Sequence, residues 1–224
     1  MKNVKLMSGK KRQGGFSILG VILVVVAIVG VLGVWAMSGQ TNTSTAATSA
    51  GDVMASSIVN DGSAIKATFD TLLVNGSAAT SITFIPATAG ASNMLDPTSG
   101  IQKPNPNANA VVNTTFPNAA WIYKGAGFKG NGIGTVADDQ TMILGGIKDG
   151  VCGQINNRLY GSTTIPASAL AETAFTTGAT AAAPSSTNAS DLSAIAGVAG
   201  WMAGCVTTTA GVDNNVYFRV LKAN

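Results

Sequence analysis

The sequence predicts an α+β chain: a long N-terminal helix with a membrane-embedded first half, packed on an antiparallel β-sheet, and a disulfide-closed C-terminal region. Three observations predict it. A basic leader meets a charge-free apolar run, Phe16 to Met37. An apolar stripe at helical spacing follows, from Met54 to Leu72. Past Gly76, short β-rich runs alternate with Gly, Pro and Asn, and the two cysteines, Cys152 and Cys205, lie among them. Helix first and strands after is the α+β order, with helices segregated to one side of a sheet.

The 224 residues suffice for one domain with a core plus an anchor. Only 10% are charged, which excludes disorder driven by charge. The net charge of +3 belongs to the leader, where Lys2, Lys5, Lys10, Lys11 and Arg12 are five of the 13 basic residues. The remaining 8 face 10 acidic residues, so no nucleic-acid partner is expected.

The 22 residues from Phe16 to Met37 carry no charge. As a helix they span about 33 Å, enough to cross a bilayer. The basic cluster on the N-terminal side keeps that end cytoplasmic and exports everything after Met37. A secretory signal peptide has a shorter apolar core, although Thr48-Ser49-Ala50 has the small residues of a cleavage site. A plain single-pass anchor fits the length but gives no reason for Gly14-Gly15-Phe16 directly behind the basic residues. Gly20, Gly30 and Gly33 lie inside the run, where glycines permit close helix–helix approach.

The stretch Lys11-Arg12-Gln13-Gly14-Gly15-Phe16-Ser17-Ile18-Leu19 resembles the leader and cleavage site of type IV pilins and type II secretion pseudopilins. The resemblance is specific over about residues 10–40 and implies a pilin-like fold. It implies cleavage between Gly15 and Phe16 by a prepilin peptidase, methylation of the new Phe16 terminus, and a mature chain of 209 residues. Gly14, Gly15 and Phe16 are then the processing residues. The implied partners are that peptidase, other pilin or pseudopilin subunits, an inner-membrane assembly platform and the membrane itself. The implied location is a single-pass inner-membrane protein with an exported domain, then a cell-surface or periplasmic filament. The chain departs from the family at the fifth mature residue, usually Glu and here Gly20. A carboxylate in lipid implies a partner, and its replacement removes that contact. The expectation is therefore a minor or divergent structural subunit. The alternative is a bitopic exported binding or adhesion protein that never polymerises.

This organisation places a cleaved leader at 1–15, the membrane half of the helix at 16–37, an exported polar and amphipathic helix at 38–75, and a β-rich domain at 76–224. Residues 38–50 are almost wholly small and polar, and read either as a flexible stalk or as a continuation of the helix. Met54, Ile58, Ile65, Phe69 and Leu72 then form a stripe that faces a sheet. Lys66 and Asp70 form an i,i+4 pair, Asp61-Gly62 is a candidate break, and Asn75-Gly76 ends the helix.

Strands are predicted at Ser81–Pro86, Ala110–Phe116, Ala120–Lys124 and Thr141–Ile147, and over the alternating Val216–Leu221. A short helix carries Cys152, Ile155 and Leu159 on one face, with Asp149 as its cap and Gly161 at its end. Gly161 to Ser190 reads as a long surface loop with a helical turn or two around Pro166–Phe175. Two cysteines in an exported domain predict one bridge, against the alternative of two buried thiols. It would stabilise the fold by about 4 kcal/mol in the chain-entropy model. Trp201 is the expected core aromatic beside it.

Little chemistry is visible. The chain has no histidine, which excludes His-based triads and His metal sites, and Glu172 is its one glutamate. Asp138-Asp139 read as a solvated turn, or as a weak calcium turn without the surrounding ligand spacing. Gly125-Ala126-Gly127-Phe128-Lys129-Gly130 matches G-x-G-x-x-G, but Asn131-Gly132-Ile133-Gly134 follows where a dinucleotide site needs a helix. A hairpin or wide turn is expected there. Cys152 and Cys205 are too far apart in sequence for a redox pair. Trp121, Tyr123 and Phe128 read as core aromatics or as an exposed patch for glycans or surfaces. No catalytic, cofactor or metal residue is assigned, and the chain is expected to be no enzyme.

Overall fold

The computed structural model describes residues 43–85, 89–98, 100–101, 104–111, 121–135, 138–171, 174–175, 190–193, 195–209 and 211–224. The chain divides into two compact units, Met1–Ala46 and Ala47–Asn224, and the fold below is that of the second.

Helix α1, Thr43–Val74, supplies the spine. Residues 43–50 of the small polar stretch are helical, and 38–42 lie outside the described residues. The buried positions are Gly51, Ala55, Ile58, Gly62, Ile65, Phe69 and Leu72, alternating steps of three and four along one face. Met54, expected in the stripe, is half-buried beside Ala55. Asp61-Gly62 does not break the helix. A Cβ on Gly62 would lie 2.8 Å from Tyr217 Oη and 3.1 Å from Tyr217 Cε1, so the glycine lets the helix approach the sheet. The pair Lys66–Asp70 forms at 2.6 Å on the half-exposed side. The end at Asn75-Gly76 is as expected: Ser77 N–H donates to Leu72 O and Gly76 N–H to Leu73 O, with Gly76 at φ 91°.

The sheet contains β1 (Ile122–Lys129), β2 (Asp139–Ile147), β3 (Ser190–Asp191), β4 (Ala203–Thr207) and β5 (Asn215–Lys222), ordered β3-β1-β2-β5-β4. β1–β2, β2–β5 and β5–β4 are antiparallel, but β3 runs parallel to β1. The sheet is therefore mixed, where an antiparallel one was expected. The fold class is α+β, as predicted.

Two predicted strands changed. In Ser81–Pro86, a 3₁₀ turn covers Ala79–Ser81 and Thr83 makes a single parallel bridge to Asn93. The Asn93 side chain bonds both Ile85 N and Ile85 O, holding this segment without a ladder. In Ala110–Phe116, Val111 makes one bridge to Ile147, and 112–116 lies outside the described residues. Strand β4 was not expected, because Ala-Gly-Cys-Val-Thr shows neither alternation nor strong β propensity. Its outer edge is occupied by the Asn156 side chain and by Pro166, whose carbonyl accepts from Thr207 N–H at 3.0 Å.

Both faces of the sheet are buried. Tyr123, Met142, Leu144, Tyr217 and Leu221 meet α1, while Phe128, Ile143, Val216, Phe218 and Val220 point the other way. The second face is covered by Leu170, Phe175, Leu192, Ile195 and Val198. Within 161–190, residues 161–164, 167, 169 and 171 are exposed, as a surface loop requires, whereas Leu170 and Phe175 turn inward and join Leu192, Ile195 and Val198 in a third layer. Strand β2, buried at all nine positions, is the central consequence.

Candidate functional site

Helix α2, Asp149–Tyr160, starts directly after β2 and sets Cys152 against β4. Cys152 and Cys205 are bonded, their Cα atoms 5.4 Å apart and both side chains fully buried. One turn on, the Asn156 amide accepts from Cys205 N–H at 2.9 Å and donates to Cys205 O at 2.8 Å. It completes the edge of β4 as a neighbouring strand would. Asp149 does not cap α2 with its side chain. Its Oδ1 accepts from Asp213 N and Asn215 Nδ2, so the carboxylate serves the β4–β5 turn. Gly161 closes the helix at φ 72°. Arg158 pairs with Asp52 at 2.9 and 3.0 Å, joining α2 to α1.

The predicted processing residues Gly14, Gly15 and Phe16, the run Phe16–Met37 and Gly20 lie outside the described residues. Among the described residues no helix is long and apolar enough to cross a membrane.

The aromatic patch does not form. Trp121, Tyr123 and Phe128 are 3%, 2% and 0% exposed. Trp121 meets Tyr217 edge-on, and Phe128 packs on Phe218 on the opposite face. Burial pushes the Tyr123 hydroxyl up to about 12. Trp201 does not join the bridge; it is half-buried, packs on the second core and stacks on Tyr160 at 4.0 Å. Tyr160 donates to Ala203 O at 2.5 Å.

The glycine motif is a bulged strand. Between Lys124 and Phe128 the register with β2 slips, and Gly127 adopts φ 76°, a conformation open to glycine. Asp138 Oδ2 accepts from Gly127 N and Asp139 Oδ2 from Gly130 N. Asp139 is 1% exposed and Asp138 half-buried, so Asp139 organises the β1–β2 connection from inside and Asp138 from its rim. Asp139 Oδ1 also accepts from Asn224 N. A cleft of about 410 Å³ lies beside this connection, lined by Lys129, Gly130, the stretch Gly132 to Thr135, Asp191 and Ser193. Ser193 holds Asp191 below the usual carboxylate range, with Lys129 adding to the effect. Among the described residues no three His, Cys, Asp or Glu side chains converge as a metal site.

Sequence reasoning missed Lys124. It is 1% exposed in the bulged half of β1. Its Nζ donates to Ala174 O and Ser190 Oγ, each at 2.7 Å. Burial pulls its ammonium down to about 8, and the Asp138 carboxylate opposes that shift. The Lys–Ser distance is that of a base and its nucleophile. Here, however, the Ser190 hydroxyl donates to Ala174 O, and both side chains are enclosed. The arrangement ties chain segments together and presents no nucleophile to solvent. The available signal was a lysine inside an uncharged apolar run, Ala119 to Tyr123 before it and Gly125 to Phe128 after it.

No protein-family model, curated protein or solved structure matches the chain.

Proposed function

We propose that this chain is a structural subunit, minor or divergent, of a type IV pilus or type II secretion pseudopilus. The observation that carries the reading is the junction Gly14-Gly15-Phe16 between a basic leader and 22 charge-free residues. A prepilin peptidase cuts after Gly15, Phe16 is methylated, and the apolar helix holds the subunit in the inner membrane. Assembly moves that helix from lipid into the filament core, among the helices of other subunits, leaving the α+β domain outside. Two features of the domain support this use. Its long helix α1 is buried along one face against the sheet, and Arg158–Asp52 with the Cys152–Cys205 bond fastens α2 between α1 and β4.

A second reading rests on Gly20, where the family's Glu would pair with a neighbouring subunit. In it the chain is a bitopic exported binding protein that does not polymerise. Processing separates the two. Coexpression with a prepilin peptidase and mass spectrometry of the mature N-terminus should give a 209-residue chain beginning at methylated Phe16. A retained Met1–Gly15 leader, or cleavage near Ala50, rejects the filament reading.

A further inference from the structure

We propose that Lys124 is a pH-dependent fastening between the sheet and the segment covering its second face, tightening as the ammonium gives up its proton. The geometry is that of one amine joining three parts of the chain. Nζ reaches Ala174 O and Ser190 Oγ at 2.7 Å, with Gly127 O of the bulge at 3.5 Å. Ala174 and Ser190 stand 16 positions apart and are themselves bonded at 2.7 Å. Ala174 directly precedes Phe175 and Ser190 lies two residues before Leu192, the two core anchors of the cover, both 0% exposed. The amine therefore sits where the cover meets β1, at the bulge that gives it room.

Two N–H groups suffice for the two short bonds, so a neutral amine keeps both. The Asp138 carboxylate acts on Lys124, and its Oδ2 also receives Gly127 N–H. Strand β2 presents Thr141 opposite it in register, and β3 presents Ser190. Lifting the cover returns the amine to water and to its ordinary value of 10.5, against about 8 when enclosed. The closed form thus binds fewer protons. Closing strengthens as pH rises from about 8 to 10.5, and opening grows as pH falls from 10.5 to about 8, below which both forms are protonated and the effect levels off.

The test uses the full chain in detergent with ¹³C-labelled lysine. Lys124→Met identifies the Lys124 Cε resonance by its loss. That resonance should titrate at least one pH unit below the other lysines, and Asp138→Asn should lower it further. In parallel, a protease active in alkali is applied between pH 7 and 10, its rate corrected on an unstructured peptide. Wild-type cleavage between Ser190 and Trp201 should fall about tenfold or more across that range. Lys124→Met should show no such slope. Should Lys124→Met fail to fold, Ser190→Ala keeps the amine and removes one short bond: cleavage should rise at every pH with the slope retained. The proposal is overturned if Lys124 titrates with the other lysines, if the wild-type profile is flat, or if either variant cleaves as wild type does.

Discussion

Gly62 shows how one missing side chain sets the spacing of two layers. The neighbouring positions of the α1 face carry Ile58 and Ile65, yet at Gly62 the sheet sends up the ring of Tyr217. Glycine inside a helix costs about 1 kcal/mol relative to alanine. The Tyr217 ring is fully buried and packed edge-on against Trp121, so a branched side chain at this point overpacks the seam. Gly62→Val should destabilise the domain by about 1–3 kcal/mol in urea unfolding. An unchanged midpoint would show that α1 does not press on Tyr217. At this scale the sequence was legible in its apolar residues and opaque in its polar ones. Ile58, Ile65, Phe69 and Leu72 announce their burial by spacing. Lys124, Asp139 and Asn156 are buried because partners from distant segments meet them, which one-dimensional pattern does not encode.

Helix α2 and strand β4 stabilise one another. Cys152 and Asn156, one turn apart, both engage Cys205, one through a covalent bond and one through its backbone groups. The bridge closes a separation of 53 residues. The paired variant Cys152→Ala/Cys205→Ala should lose about 4 kcal/mol by the chain-entropy model. Calorimetry of the two forms measures it. A loss below about 1 kcal/mol would mean that Asn156 and the surrounding packing hold β4 alone. Because both sulfurs are fully buried, reductant should cleave the bond only at temperatures where the domain opens. Periodicity marked α2 correctly through Cys152, Ile155 and Leu159. It missed β4, an edge strand whose Gly204 leaves space for the Trp201 ring and whose outer edge, away from β5, is met by Asn156 of α2 and by Pro166.

At the scale of the whole molecule, a sheet covered on both faces encloses several titratable groups. Lys124, lowered to about 8 by burial, contributes stability that appears as pH rises toward 10.5 and is lost below about 8. Tyr123 behaves oppositely. Its hydroxyl is raised from 10.0 to about 12 by burial, so its contribution is present below 10 and disappears as pH climbs to 12. Burial raises Tyr160 and Tyr217 in the same direction. The urea midpoint should therefore climb above pH 8, peak at about pH 10 and fall beyond it. A midpoint that declines steadily from pH 8 contradicts the enclosure of Lys124.

The sequence by itself determined the linear order of the chain: basic N-terminal stretch, apolar run, amphipathic helix, strands and a cysteine pair. Each of these is local, written in charge, hydropathy or spacing over a few turns, and so needs no knowledge of distant residues. The helix-plus-sheet class followed, and the bridge became the natural use of the two cysteines. Only the tertiary structure decided that β3 pairs parallel to β1, that the glycine motif is a bulge, and that Leu170, Phe175 and Leu192 form a third layer. These are outcomes of long-range pairing. A strand such as β5 carries apolar residues on both faces, Val216 and Phe218 on one and Tyr217 and Leu221 on the other, and its sequence does not state what will cover each. The cover is chosen by whichever segments can bury their own side chains there, and Lys124 is fastened where that choice was made.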